Sequence, residues 1–211
     1  MSTKIKMFFL SIKKFFSFKV NTRSIVMTAL LGAAASVLMF FSFSVPFMPG
    51  FIKMDLSEMP ALVAAFSMGP LSGAAVCLIK NVVNVFSTTT AGVGELSNFL
   101  LGVAFVVPAG FIYKFKKNRL GALIGSLTGS VAMAALGLPI NYFVTYPLYI
   151  KMGFPLDVII GMYQDILPSV DGLLMCLIVF NLPFTLMRGI VDSALTFLIY
   201  KRISPLIKGK K

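Results

Sequence analysis

The sequence predicts an all-α integral membrane protein with six transmembrane helices and both termini cytoplasmic, its short helices 2 and 3 separated at Gly69-Pro70. Three observations carry that expectation. The chain has 211 residues, is 58% hydrophobic and has a mean hydropathy of +0.93, too apolar for a soluble domain of this length. Apolar runs of ~20 residues, enough to cross a bilayer, recur between polar segments. Fifteen of the nineteen Lys and Arg residues cluster in three places: the amino-terminal arm (Lys4, Lys6, Lys13, Lys14, Lys19, Arg23), one central loop (Lys114, Lys116, Lys117, Arg119) and the tail (Lys201, Arg202, Lys208, Lys210, Lys211). Basic residues beside apolar spans mark the cytoplasmic side, so both ends and the central loop are expected in the cytosol. Asp55, Glu58, Glu95, Asp157, Asp165 and Asp171 fall in other segments, expected to face out.

Each element follows in order. Residues 1–23 read as a basic amphipathic arm, in which Lys alternates with Phe, Ile and Leu. No long apolar core or small-residue cleavage site follows before Asn21, so the arm suits the inner leaflet better than a signal peptide. Residues 24–205 read as a single membrane domain and 206–211 as a basic tail. Span 1 runs from about Ser24 to Ser44, and Pro46–Ser57 is a Pro/Gly-rich outer loop. The apolar run Met59–Phe86 decides the topology. As one helix it would put the basic loop outside; broken at Gly69-Pro70 into two antiparallel helices, it brings every basic cluster inside. The first of these is only about ten residues, roughly 15 Å, and must gain length from Leu56–Glu58 or rest on neighbouring protein. Ser87–Gly94 is an outer turn, Glu95–Tyr113 span 4, Leu120 to about Tyr146 span 5, Pro147–Gly172 an acidic outer segment and Leu173–Tyr200 span 6.

Composition also narrows function. The formal charge of +12 borders the apolar runs, where it meets lipid headgroups of the bilayer and not nucleic acid. Cys77 and Cys176 lie inside apolar runs and read as packing residues. The chain has no His, which removes His-based triads and His-ligated metals. It has no phosphate-binding loop and no paired carboxylates suited to acid/base work, so neither ATP hydrolysis nor other catalysis is expected of it.

Ionisable and amide side chains inside spans usually face a cavity. Lys80, Asn81 and Asn84 lie in the outward half of span 3, and Glu95 and Asn98 share one face at the outer start of span 4. Asn141 and Tyr142 lie near the outer end of span 5. Asn181, Thr185, Arg188 and Asp192 are spaced 4, 3 and 4 apart in span 6, a single stripe within an arc of about 60°, with Pro183 placed to kink the helix. Asp192 is the expected i,i+4 partner of Arg188; Lys80 either serves the cavity or snorkels outward. Helices 3 to 6 thus surround an outward-facing polar pocket, with Phe47, Phe51, Phe99, Met133, Tyr142 and Tyr146 as its apolar lining, suited to a flat heteroaromatic ligand bearing hydroxyls. Spans 1 and 2 carry small residues at four-residue spacing instead (Ala29/Ala33, Gly32/Ser36, Ala61/Ala65), a pattern that lets helices approach closely and that fits a partner interface.

The ordered set Lys53-x-Asp55-Leu56-Ser57-x-x-Pro60-Ala61-Leu62, Gly69-Pro70-Leu71-x-Gly73 and Lys80-Asn81 resembles the substrate-binding (S) subunits of energy-coupling factor (ECF) transporters. Thr90 to Gly102, Asn141-Tyr142-Phe143 and Leu182-Pro183-Phe184 with Gly189 resemble the riboflavin-specific branch, and the similarity runs from about Ser24 to Pro205. The resemblance implies a six-helix subunit of the bacterial cell membrane that binds riboflavin as transported ligand, with FMN a further candidate, and needs no cofactor or metal. It implies partners in a membrane scaffold subunit and two cytosolic ATPase subunits, with Ala29 and Ala33 against the scaffold. Binding residues map to Lys53 and Leu56 in the first outer loop, which would act as a lid, to Glu95 and Asn98, to Asn141, and to Thr185 and Arg188. Lys80, Asn84 and Tyr142 complete the candidate site. Thr185 and Arg188 stand where the branch more often has Asn and Lys; Arg keeps the charge and gains a planar fork, while Thr loses an amide. An S subunit for another vitamin, or a small membrane enzyme or self-sufficient carrier, are the other readings open to the sequence.

Overall fold

The computed structural model describes residues 21–208, with side chains through Tyr200. The arm before Asn21 and the last basic residues lie outside the described residues. Helix α1 (Thr22–Phe40) starts where the Asn21 side chain accepts the Arg23 N–H at 3.3 Å. Strands β1 (Phe43–Ser44) and β2 (Lys53–Met54) then pair antiparallel, Phe43 opposite Met54. This hairpin is a departure from the all-α expectation: the turn residues Pro46, Pro49 and Gly50 fold the loop back, so its backbone groups find each other.

Helices α2 (Glu58–Met68) and α3 (Pro70–Val85) follow, broken at the dipeptide the sequence singles out. Gly69 sits at φ +114°, a region closed to other residues, and Pro70 opens α3 where its missing N–H costs nothing. Next come α4 (Val93–Phe115) and α5 (Arg119–Ile140), the latter capped by Asn118 accepting the Gly121 N–H at 2.7 Å. The chain continues through α6 (Tyr146–Lys151), α7 (Leu156–Gln164), α8 (Gly172–Cys176) and α9 (Leu182–Lys208). Among the described residues, four continuous helical stretches are long and apolar enough to cross a membrane: Thr22–Phe40, Val93–Phe115, Arg119–Lys151 and Gly172–Tyr200. Helices α2 and α3 are shorter. The eleven-residue α2 gains only Glu58 on the expected run and is enclosed by its neighbours, with Pro60 through Phe66 all buried.

Two of the long stretches contain a widened turn, Asn141–Thr145 before α6 and Leu177–Asn181 before α9. In each, an N–H reaches five residues back, from Tyr146 to Asn141 and from Leu182 to Leu177. Both closing residues immediately precede a proline, Pro147 and Pro183. A proline ring clashes with the carbonyl four residues earlier, and widening the turn just before it relieves the clash without ending the helix. The kink expected at Pro183 therefore takes the form of an added residue in the turn.

Helix α4 packs against α5 through small residues. A Cβ on Gly125 would lie 2.7 Å from the Ala109 carbonyl oxygen, and one on Gly129 2.5 Å from that of Phe105. Ala61 and Ala65 do the same work inside the domain, lying under Gly73 and Gly110, and Gly32 lies under Ile79. These pairs are internal packing, not the partner surface expected of spans 1 and 2. Ala29 and Ala33 remain exposed on α1. At the end of the bundle carrying the Lys114–Arg119 loop, Phe66, Tyr113 and Tyr200 form one aromatic cluster. The hairpin and the α3–α4 turn occupy the opposite end, beside the cavity described next.

Candidate functional site

A cavity of about 320 Å³ opens at the hairpin end, within the size range of small-molecule sites. Its walls come from the end of α1 (Met39, Phe40), the hairpin (Phe51, Ile52, Lys53, Asp55), the α3–α4 turn (Asn84, Thr90), the start of α4 (Glu95, Asn98, Leu101), α5 and its widened turn (Met133, Asn141, Tyr146), and α9 with the turn before it (Asn181, Phe184, Thr185, Arg188). Of the sequence-predicted residues, Lys53, Asn84, Glu95, Asn98, Asn141, Thr185 and Arg188 meet here, with Phe51, Met133 and Tyr146 from the apolar set.

Five of the residues expected around the cavity do not line it. Leu56 is off the wall, because Lys53 and Asp55 are two apart on the extended hairpin and share its cavity side, while Leu56 has turned into the approach to α2. Asp55 takes its place. Tyr142 is 38% exposed and faces away, edge-on to Phe143 with ring centroids 5.0 Å apart; one helical residue past the inward Asn141 is already ~100° round the axis. Phe47 is 81% exposed at the hairpin tip, and Phe99 packs into the core. Lys80 neither lines the cavity nor snorkels. It is 0% exposed, donating from Nζ to Glu58 at 2.7 Å, to Ser57 at 2.6 Å and to Asn98 at 3.2 Å.

Glu58 is the residue the charge pattern misplaces. Expected in an outer loop, it is 0% exposed, where its carboxylate binds Lys80 and lies 3.7 Å from Arg188. Asp55 and Glu95 are likewise buried. Burying a charge is costly unless it is paired. Arg188 donates from Nη2 to Asp55 at 3.1 Å. The expected pairing with Asp192 does not form: a helical side chain leans toward the N-terminus, which carries the guanidinium to the hairpin and leaves Asp192 a turn behind. Neither Asp192 oxygen has a hydrogen-bond partner among the described residues. Burial by itself would raise the Asp55 carboxyl, but Arg188, Lys80 and hydrogen bonds from Ser57 outweigh it and hold the group below its ordinary value.

The polar groups are oriented by one another. Glu95 accepts from Asn84 at 3.2 Å, Thr88 at 2.8 Å and Thr90 at 3.3 Å, which fixes its carboxylate at the rim. The Ser97 hydroxyl donates to Asn141 Oδ1 at 3.2 Å, and Asn181 joins the bonded Tyr146 and Tyr163 hydroxyls. Phe51 of the hairpin packs edge-on against Tyr149 and Tyr163, ring centroids 6.2 and 6.1 Å away. Thr88, Ser97 and Tyr163 had no signal in the sequence beyond being polar or aromatic near a span end. Cys77 and Cys176 are free and buried, in line with their reading as packing residues.

Apolar walls, fixed amides and paired ions enclosed by membrane-length helices define a membrane-embedded binder of a small organic molecule. The family profile of the ECF transporter substrate-specific component matches residues 23–200, and the chain belongs to that family. It is 31% identical to the riboflavin transporter RibU of Staphylococcus aureus (strain TCH60) over 89% of this chain and 94% of that protein. It is 30% identical to the riboflavin transporter FmnP of Bacillus subtilis (strain 168), over 90% and 97% respectively. A solved S component of a bacterial ECF transporter superposes with a TM-score of 0.70 at 32% identity, covering 89% of this chain and 98% of that one. The chain is thus a transporter component of a bacterial membrane, which works with other ECF components, and not an enzyme.

Proposed function

We propose that this chain is the riboflavin-binding subunit of an ECF-type vitamin importer. The observation that carries the proposal is the cavity itself: about 320 Å³, lined by Phe51, Leu101, Met133 and Phe184 together with Asn98, Asn141, Thr185, Arg188 and Glu95. The isoalloxazine packs between Phe51, Leu101, Met133 and Phe184. Arg188 and the amides donate to its carbonyl edge, and the ribityl hydroxyls meet Glu95 and the threonines of the α3–α4 turn. No resident cofactor is required. The hairpin acts as lid, since it supplies one wall and is held by the Asp55–Arg188 pair.

Counting α2 and α3, the chain crosses the cell membrane six times with both termini in the cytosol. The Lys114–Arg119 loop, at the end opposite the cavity, supports this orientation, and the cavity then opens outward. A scaffold subunit docks on the exposed Ala29/Ala33 face of α1, and two cytosolic ATPases supply the energy. The test is flavin absorbance and fluorescence titration of the detergent-purified protein. Saturable quenching near 1:1 supports riboflavin, and competition by FMN measures whether the phosphate is accepted. Untouched riboflavin fluorescence removes flavin as the ligand.

A further inference from the structure

Asn98 is the one cavity amide whose orientation is set by a group that can only donate. Lys80 Nζ lies 3.2 Å from Asn98 Oδ1, and an ammonium has three N–H donors and no acceptor. Its other two partners here are Glu58 Oε1 and Ser57 Oγ, at 2.7 and 2.6 Å. The Asn98 carbonyl must therefore face the lysine, which leaves the amide NH2 for the cavity. Lys80 is itself fully buried, anchored by a carboxylate that Gly102 admits: a Cβ there would lie 2.8 Å from Glu58 Oε1. Arg188 lines the same cavity.

We infer that Lys80 is a positioning residue that acts through Asn98: it never touches the ligand, but locks the Asn98 amide so that this side chain offers the cavity a hydrogen-bond donor and not an acceptor. The inference rests on the flavin reading above and adds a direction to it. The locked Asn98 amide selects an acceptor, a ring carbonyl or an unprotonated ring nitrogen, and disfavours a donor placed against it. With a non-polar residue at position 80 the amide would be free to turn, and this preference would be lost.

The test uses the full chain in detergent with riboflavin and its 2-thio and 4-thio analogues, in which a weaker acceptor replaces each carbonyl oxygen. Asn98→Asp keeps the shape and gives Lys80 a carboxylate, while removing the cavity-facing donor. Its riboflavin Kd is expected to rise at least about tenfold, with the ligand-free melting temperature held or raised. Preference for riboflavin over at least one thio analogue, present in the natural chain, is expected to vanish in Asn98→Asp. It should also vanish in Glu58→Gln/Lys80→Met, which removes the ion pair while Arg188 keeps Asp55 and an amide oxygen at position 58. A structural role alone would weaken all three ligands in parallel, and that result, or an Asn98→Asp Kd within threefold of the natural one, overturns the inference while leaving the flavin reading intact. Failure of the natural chain to bind riboflavin overturns both.

Discussion

Replacing Asp55 by Asn isolates the bond that holds the hairpin over the cavity. The carboxylate accepts the Ser57 N–H at 2.8 Å and the Ser57 hydroxyl through one oxygen, and Arg188 at 3.1 Å through the other. Asn keeps an oxygen for Ser57 but turns an NH2 on the guanidinium, so a charge-assisted bond becomes a donor facing a donor. Such a bond contributes about 1.5–3 kcal/mol. Arg188 retains Glu58 at 3.7 Å, so the loss stays below the ~3–5 kcal/mol of a buried pair stripped of one partner. About 2 kcal/mol is expected, a Kd roughly 30-fold weaker, since 1.4 kcal/mol is a factor of ten. The change should appear mainly in the dissociation rate, read by stopped-flow fluorescence, because the pair holds a wall in place and does not steer encounter. The pH dependence follows from the sign of the shift. The folded-state value is depressed, so the pair's contribution is complete above the ordinary aspartate value of 3.8 and is lost only as pH falls through the lower folded value. The Asn variant's deficit should accordingly be constant from pH 5 to about 8. A Kd unchanged within threefold, or tighter, would refute the view that this ion pair holds the binding-competent wall.

Tyr142→Ala should leave flavin affinity within about twofold, since the ring faces out; the same titration checks it. Gly129→Ala should lower the melting temperature in detergent, because the new methyl meets the Phe105 carbonyl oxygen at 2.5 Å and α4 and α5 must part, a cost of about 1–3 kcal/mol. Ala29→Leu should keep riboflavin binding and lose co-purification with the scaffold subunit, as expected of a side chain exposed on α1 and remote from the cavity.

What the sequence made legible was local or periodic. Gly69-Pro70 announces a break by backbone chemistry alone, and the four-three-four spacing puts Asn181, Thr185 and Arg188 on one wall whatever surrounds them. Ionic pairing was not legible, because partners are chosen by the fold: Arg188 is 133 residues from Asp55 yet bonded to it, and only four from the Asp192 it bypasses. Glu58 looked like a loop acid since it precedes the apolar run by a single residue, and only the enclosed α2 reveals that the run begins inside the protein. Tyr142 failed for a smaller reason. A ~100° step per residue separates neighbours on a helix, so being adjacent to Asn141 argued against its facing the cavity.

The pairing of the buried charges bears on what the cavity accepts. Lys80 has Glu58 at 2.7 Å and Arg188 has Asp55 at 3.1 Å, so neither cation stands alone beside the cavity. An anionic group brought to that wall would have to compete with the resident carboxylates for the same guanidinium, in a setting where an unpaired charge is expensive. A neutral acceptor has no such competitor: it takes an amide hydrogen from this wall while both ion pairs persist. The wall therefore favours an uncharged ring edge over a carboxylate or phosphate. Any tolerance for a phosphate must come from the rim, where Lys53 is exposed on the hairpin but Glu95 already contributes negative charge. The acids that neutralise the cations thus shape selectivity as well as stability.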